Sequence, residues 1–135
     1  VFVDDYLAAL EGADIEGILS LFTAEAVIHS PLYGEMPARE FYPALFADTA
    51  ESKLTLKTVL HGDHDGTATV AFWFDFNWTL ADGSPAPFSV VDIAKLDSDG
   101  LITELHIIYD TAPIRTLFEQ SRQQARQGDG EPRTA

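Results

Sequence analysis

The chain has no cysteine, which excludes a disulfide framework, thiolate metal sites and a cysteine nucleophile. Positive charge is also scarce: eight Lys and Arg stand against 22 Asp and Glu, for a formal charge of −14. Such a surface repels nucleic acid and anionic lipid, so neither is an expected partner. No apolar run approaches the length that crosses a bilayer, and no signal-peptide core with a cleavage site follows the start. Since the first residue is Val1 rather than Met, a trimmed leader stays open. A glycine-rich phosphate loop is missing too, and the lone "DGSP" turn does not make one. The expectation is a soluble, cytoplasmic protein.

What remains is an ordinary globular composition. With 135 residues, 46% of them hydrophobic, the chain is the size of one domain and can bury a core without metals or cross-links. A single domain over residues 1–127 is expected, with "GDGEPRTA" at 128–135 as a flexible tail.

Apolar periodicity divides the chain in two. Phe2, Tyr6, Leu7 and Leu10 recur at helical spacing up to Gly12. Asp14 stands where it can cap a second helix carrying Ile15, Ile18, Leu19 and Phe22. "AVIHSPLYGEM" reads as a short strand running into a loop, and "PAREFYPALFADTA" as a third helix that Pro43 should kink. From about residue 53 the period becomes two. "KLTLKTVL", "TATVAFWFDFNWTL", "FSVVDIAKL" and "LITELHIIYD" predict four strands of an antiparallel meander, separated by "HGDHDG", "ADGSPAP" and "DSDG". "APIRTLFEQSRQQARQ" predicts a terminal helix. Helices first and strands afterwards indicate an α+β domain with helices on one face of a curved sheet.

Two carboxylates draw attention. Asp92 shares a strand face with Val90, Ala94 and Leu96, and an unpaired buried carboxylate is costly, so it should be neutral, hydrogen-bonded or lining a cavity. In "AFWFDFNWT", Phe72, Phe74, Phe76 and Trp78 share one side, while Trp73, Asp75, Asn77 and Thr79 share the other. The aromatic stripe is too apolar to leave in water. It calls for cover by a partner subunit or by the chain's own helices, and the mixed stripe then reads as the cavity wall. A hairpin turning between Gly83 and Ser84 sets Asp75 opposite Asp92, Asn77 opposite Val90 and Trp73 opposite Ala94. Opposed residues lie roughly 5 Å apart at Cβ. Two carboxyls that close in a dry cleft share one proton and form an acid/base pair. The alternative is a structural network in which each Asp is satisfied by nearby Thr, Asn or backbone amides.

With these residues in view, the sequence resembles ketosteroid isomerase and the wider nuclear-transport-factor-2-like group, which includes SnoaL-like polyketide cyclases, limonene epoxide hydrolase and scytalone dehydratase. "YLAALEGADIEGILSLFTAEAVIHSP" resembles the isomerase's first two helices and strand, "AREFY" its third helix, and "VVDIAKLDSDGLI" its strand-turn-strand, over about residues 3–111. The resemblance implies a cone: a curved antiparallel sheet wrapped around helices, with an apolar pocket at one end. It places Tyr6 as the oxyanion-hole tyrosine and Asp92 as the protonated acid beside it. Ser30 stands where the isomerase has its proton-shuttling Asp, and serine cannot serve as that base near neutral pH. Asp75 resembles in spacing the general-base Asp of limonene epoxide hydrolase, although Trp73 and Ile107 replace that enzyme's Arg and other Asp. Ser30, Phe41, Trp73, Asn77 and Tyr109 occupy positions that line the pocket in relatives, and plain core packing accounts equally well for the aromatics.

The functional expectation is cofactor-independent proton transfer on a small apolar carbonyl compound, as an isomerase, cyclase or dehydratase, with Asp75 as base and Tyr6 and Asp92 stabilising the enolate. Epoxide opening and a non-catalytic ligand-binding or dimerising module are the alternatives. A homodimer through the outer sheet face is expected, and no metal or cofactor. His61 and His64, in a turn with Asp63 and Asp65, read as solvated loop, while His29 and His106 point to the face opposite Ser30 and receive no role.

Overall fold

A computed structural model describes residues 2–130. Three helices, α1 (Val3–Glu11), α2 (Ile15–Leu19) and α3 (Ala38–Ala47), lie against the concave side of one curved six-stranded sheet. The strands are β1 (Phe22–Ser30), β2 (Gly34–Pro37), β3 (Thr49–His64), β4 (Thr67–Leu80), β5 (Phe88–Leu96) and β6 (Ile102–Ile108), and α4 (Arg115–Gly130) follows. The α+β architecture inferred from periodicity is the one observed.

Local chemistry explains most boundaries. The Asp14 side chain accepts the Gly17 amide at 2.9 Å and caps α2. That helix ends at Leu19, earlier than helical spacing suggested, because Ser20 Oγ donates to the Gly17 carbonyl at 2.6 Å and closes the last turn. Phe22 then joins Ala26, Ile28 and Ser30 on the buried face of β1. Helix α3 continues past Pro43 to Ala47. Strand β3 runs through the predicted "HGDHDG" turn, since only Asp65 and Gly66 have the left-handed φ values, 51° and 80°, that a tight hairpin turn requires. The terminal helix extends to Gly130, past the expected start of the tail, and residues 131–135 of that tail lie outside the described residues.

Sheet order is β2-β1-β6-β5-β4-β3. The predicted meander β3 to β6 is antiparallel throughout. The sheet is nevertheless mixed, because β1 pairs with β6 in parallel and brings the N-terminal segment to the far side of the meander.

The predicted register between β4 and β5 is incorrect. Asp75 faces Ser89, and Asp92 faces Phe72, a shift of three residues. The turn is a three-residue loop, Ala81 to Gly83, closed by Leu80 N to Ser84 O at 2.9 Å. Gly83 takes φ of 90°, the position that such loops reserve for glycine, and Asp82 Oδ1 accepts the Ser84 amide at 2.9 Å. Side chains alternate, so an odd shift exchanges the faces of a strand. Phe72, Phe74, Phe76 and Trp78 therefore point inward into the core, under the chain's own helices. Trp73, Asp75, Asn77 and Thr79 occupy the convex face. The aromatic stripe that suggested a dimer through the outer face is inside.

Candidate active site

The cone closes around a hollow whose polar groups come from three elements and a turn. Tyr6 reaches it from α1, Asp92 from β5 and Ser30 from the end of β1, with Tyr33 just beyond. Phe41, Phe74, Phe76, Trp78, Phe88 and Tyr109 build the aromatic wall. The rings form a continuous set: Phe88 stacks on Tyr109 at 4.2 Å between centroids and on Phe76 at 5.1 Å. The hollow is narrow, a cavity of about 40 Å³, room for a few waters.

Asp92 is the only carboxyl among the lining residues. It is 1% exposed, and its Oδ1 has no hydrogen-bond partner among the described residues. Burial pushes its pKa up to about 8, against a smaller downward pull from the Tyr6 hydroxyl. The Tyr6 hydroxyl is also bonded to the Tyr42 hydroxyl at 2.9 Å. Burial, then the mutual influence of Tyr6, Tyr42 and Asp92, keeps Tyr6 well above the ordinary tyrosine range. At neutral pH the three groups are thus uncharged, and they carry O–H donors in an apolar surround. Such donors stabilise negative charge developing on a ligand oxygen.

Ser30 Oγ accepts the amides of Leu32 and Tyr33 at 3.2 and 3.0 Å, which fixes the turn and leaves its O–H as a donor. Tyr33 donates to Asp48 Oδ2 at 2.6 Å, so it faces the hollow with its ring rather than a free hydroxyl.

Of the predicted site residues, Tyr6, Asp92, Ser30, Phe41 and Tyr109 converge on the hollow, and Asp75, Trp73 and Asn77 do not. The three excluded residues share the convex face because of the register shift. There, Lys57 Nζ lies 3.2 Å from Asp75 Oδ2 and Trp73 Nε1 donates to Ser89 Oγ at 2.7 Å. Asp75 and Asp92 are therefore no acid/base pair. Sequence reasoning missed Tyr42, which is fully buried beside Tyr6; its position next to Phe41 on the same helix was the available signal. It also missed Phe74, Phe76 and Trp78, which the assumed register had turned outward.

The curved sheet wrapped around its helices is the nuclear-transport-factor-2-like, or cystatin-like, architecture. Solved structures agree in fold. A nuclear-transport-factor-2-like protein of unknown function from Exiguobacterium sp. 255-15 is 21% identical, with a TM-score of 0.65 over 82% of this chain and 98% of that one. The Δ5-3-ketosteroid isomerase of Mycobacterium sp. is 18% identical, with a TM-score of 0.66 over 81% and 90%. AclR from Streptomyces galilaeus is 16% identical, with a TM-score of 0.68 over 87% and 92%. No curated protein matches the chain. Within that architecture, the SnoaL-like domain family matches residues 3–105, and the chain belongs to it.

Proposed function

We propose that this SnoaL-like protein is a cofactor-independent enzyme acting on a small, mostly apolar carbonyl compound, in which protonated Asp92 and Tyr6 receive the carbonyl oxygen. The buried, unpartnered Asp92 Oδ1 at the end of an aromatic hollow carries this reading. A carboxylic acid kept neutral can donate a hydrogen bond that strengthens as the oxygen gains charge, and so lowers the barrier to enol formation. Isomerisation, cyclisation and dehydration share that step. With Ser30 in the isomerase's base position and Asp75 on the convex face, the α-proton passes to solvent water at the mouth of the hollow. The chemistry is acid-assisted, without a dedicated carboxylate base.

The test is deuterium exchange at the α-carbon of a small cyclic ketone, followed by NMR in D2O. The folded protein should accelerate exchange, and Asp92→Ala should slow it by about 100-fold, the usual cost of losing an oxyanion donor. Equal exchange in both proteins would reject the assignment.

A second reading is a ligand-binding module without turnover. It is favoured by the same lining, in which Asp92 is the only carboxyl. Saturable ketone binding that depends on Asp92, with no exchange above the buffer rate, would select it. Epoxide opening has less support, because it needs Asp75 to orient water inside the hollow.

A further inference from the structure

The convex face of the sheet brings together two of the chain's four histidines. Because β1 and β6 run in parallel register, His29 lies beside His106; the rings are 4.2 Å apart and 4° from parallel. Glu104 precedes His106 by two residues and so shares its face. Its Oε1 lies 2.6 Å from His106 Nε2, and its Oε2 lies 3.8 Å from His29 Nε2. On the other side, β2 sets Glu35 opposite His29, with Oε1 3.4 Å from Nδ1. Lys95 of β5 closes the row, its Nζ 3.2 Å from Glu104 Oε1.

This arrangement leaves one atom unaccounted for. With its hydrogen on Nδ1, toward Glu35, the His29 imidazole has an Nε2 lone pair free to ligate. That Nε2 is buried and has no hydrogen-bond partner among the described residues. One donor atom from each of His29, Glu104 and His106 lies within 4.8 Å of the others. Around tetrahedral zinc, with bonds of about 2.0–2.1 Å, neighbouring donors stand roughly 3.3 Å apart. The half-exposed side chains therefore need to close by up to about 1.5 Å, with the imidazoles splaying out of their stack. Two imidazoles and one carboxylate suit a borderline divalent ion, whereas calcium and magnesium prefer shells of oxygen.

We propose that His29, Glu104 and His106 form a surface site for a single zinc-class divalent cation. Glu35 is the positioning residue that fixes the His29 tautomer from behind. The ion replaces the hydrogen bond between His106 and Glu104, while Lys95 moves off Glu104 toward solvent. A fourth coordination position faces outward, open to water. The site lies on the opposite face of the sheet from the Asp92 hollow and does not depend on what binds there.

The experiment is a ZnCl2 titration of the tag-free chain by calorimetry in a non-chelating buffer. One ion per chain should bind at about micromolar affinity or tighter. His29→Gln and His106→Gln should each weaken binding at least tenfold, and Glu35→Gln by about tenfold without changing the melting temperature of the metal-free chain. The exposed pair His61 and His64 is the internal control, and replacing both with Gln should leave affinity unchanged. No uptake at about 100 µM zinc, uptake insensitive to His29 and His106, or uptake lost with His61 and His64 would each overturn the proposal. Should the imidazole variants unfold, Glu104→Gln decides: weaker binding supports the site, and unchanged binding overturns it.

Discussion

Asp92 retains its proton because the folded chain offers its carboxylate almost no solvation, and the cost of that arrangement has a sign. In the unfolded chain the carboxyl ionises near pH 4, while in the folded chain burial raises its pKa to about 8. Below pH 4 both states are protonated and the group leaves stability unchanged. Between about pH 4 and 8 the unfolded state loses a proton that the folded state keeps, so stability falls as pH rises, by up to about 1.4 kcal/mol per unit. Asp92→Asn removes this slope. The melting temperature of the variant should therefore gain on that of the parent steadily from pH 4 to pH 8, with the difference flat above. A constant difference across the range would mean that Asp92 is ionised in the fold and cannot serve as a donor.

At the scale of elements, the loop from Ala81 to Gly83 decides which side of β4 becomes the wall of the site. Gly83 sits at φ of 90° with open space around its missing Cβ, so the cost of Gly83→Ala is backbone strain alone, about 1 kcal/mol. Gly62, in the β3 ribbon, has equally open surroundings and no positive φ, so Gly62→Ala should be close to neutral. Urea unfolding of the two variants measures the contrast, and equal midpoints would count against the hairpin geometry. The same loop explains what was legible in advance. Period-two alternation marked all four meander strands, and helical spacing with the Asp14 cap marked α1 to α3. Tyr6, Ser30 and Asp92 were readable because each lies in a segment whose spacing matches the isomerase. Alternation cannot tell which face is inward when one stripe is aromatic and the other mixed. That choice rested on a turn where a two-residue and a three-residue loop both fit "ADGSP". The error moved Asp75, Trp73 and Asn77 together, since residues of one strand face cannot be misplaced singly. The parallel pairing of β1 with β6 was hidden for another reason: it joins segments distant in sequence and leaves no local pattern.

For the molecule as a whole, α4 is the element held most lightly beside the hollow. Ile114 just before it, and Phe118 and Ser121 within it, are buried. Phe118 sets its ring against two cavity-lining residues, 5.3 Å from Tyr33 and 5.8 Å from Trp78. Arg122 fastens the same end: its Nη2 is 3.0 Å from Asp48 Oδ2, and its guanidinium lies 4.5 Å from the centre of the Phe118 ring. Asp48 also accepts the Tyr33 hydroxyl, so one carboxylate ties the helix to the rim of the site. A helix fixed at so few points should open on its own, well before the sheet does. Arg122→Ala removes both the ion pair and the cover over Phe118, and Arg122→Lys restores charge without the planar contact. Amide hydrogen exchange in α4 should accelerate about tenfold in the alanine variant and only partly recover in the lysine one, while the amides of β4 and β5 exchange at parental rates. Faster entry of an apolar ketone should accompany the change, because Phe118 packs against Tyr33 and Trp78 of the hollow's lining. If α4 and the sheet instead exchange in step in every variant, the helix is part of the cooperative core and the ligand must enter by another route.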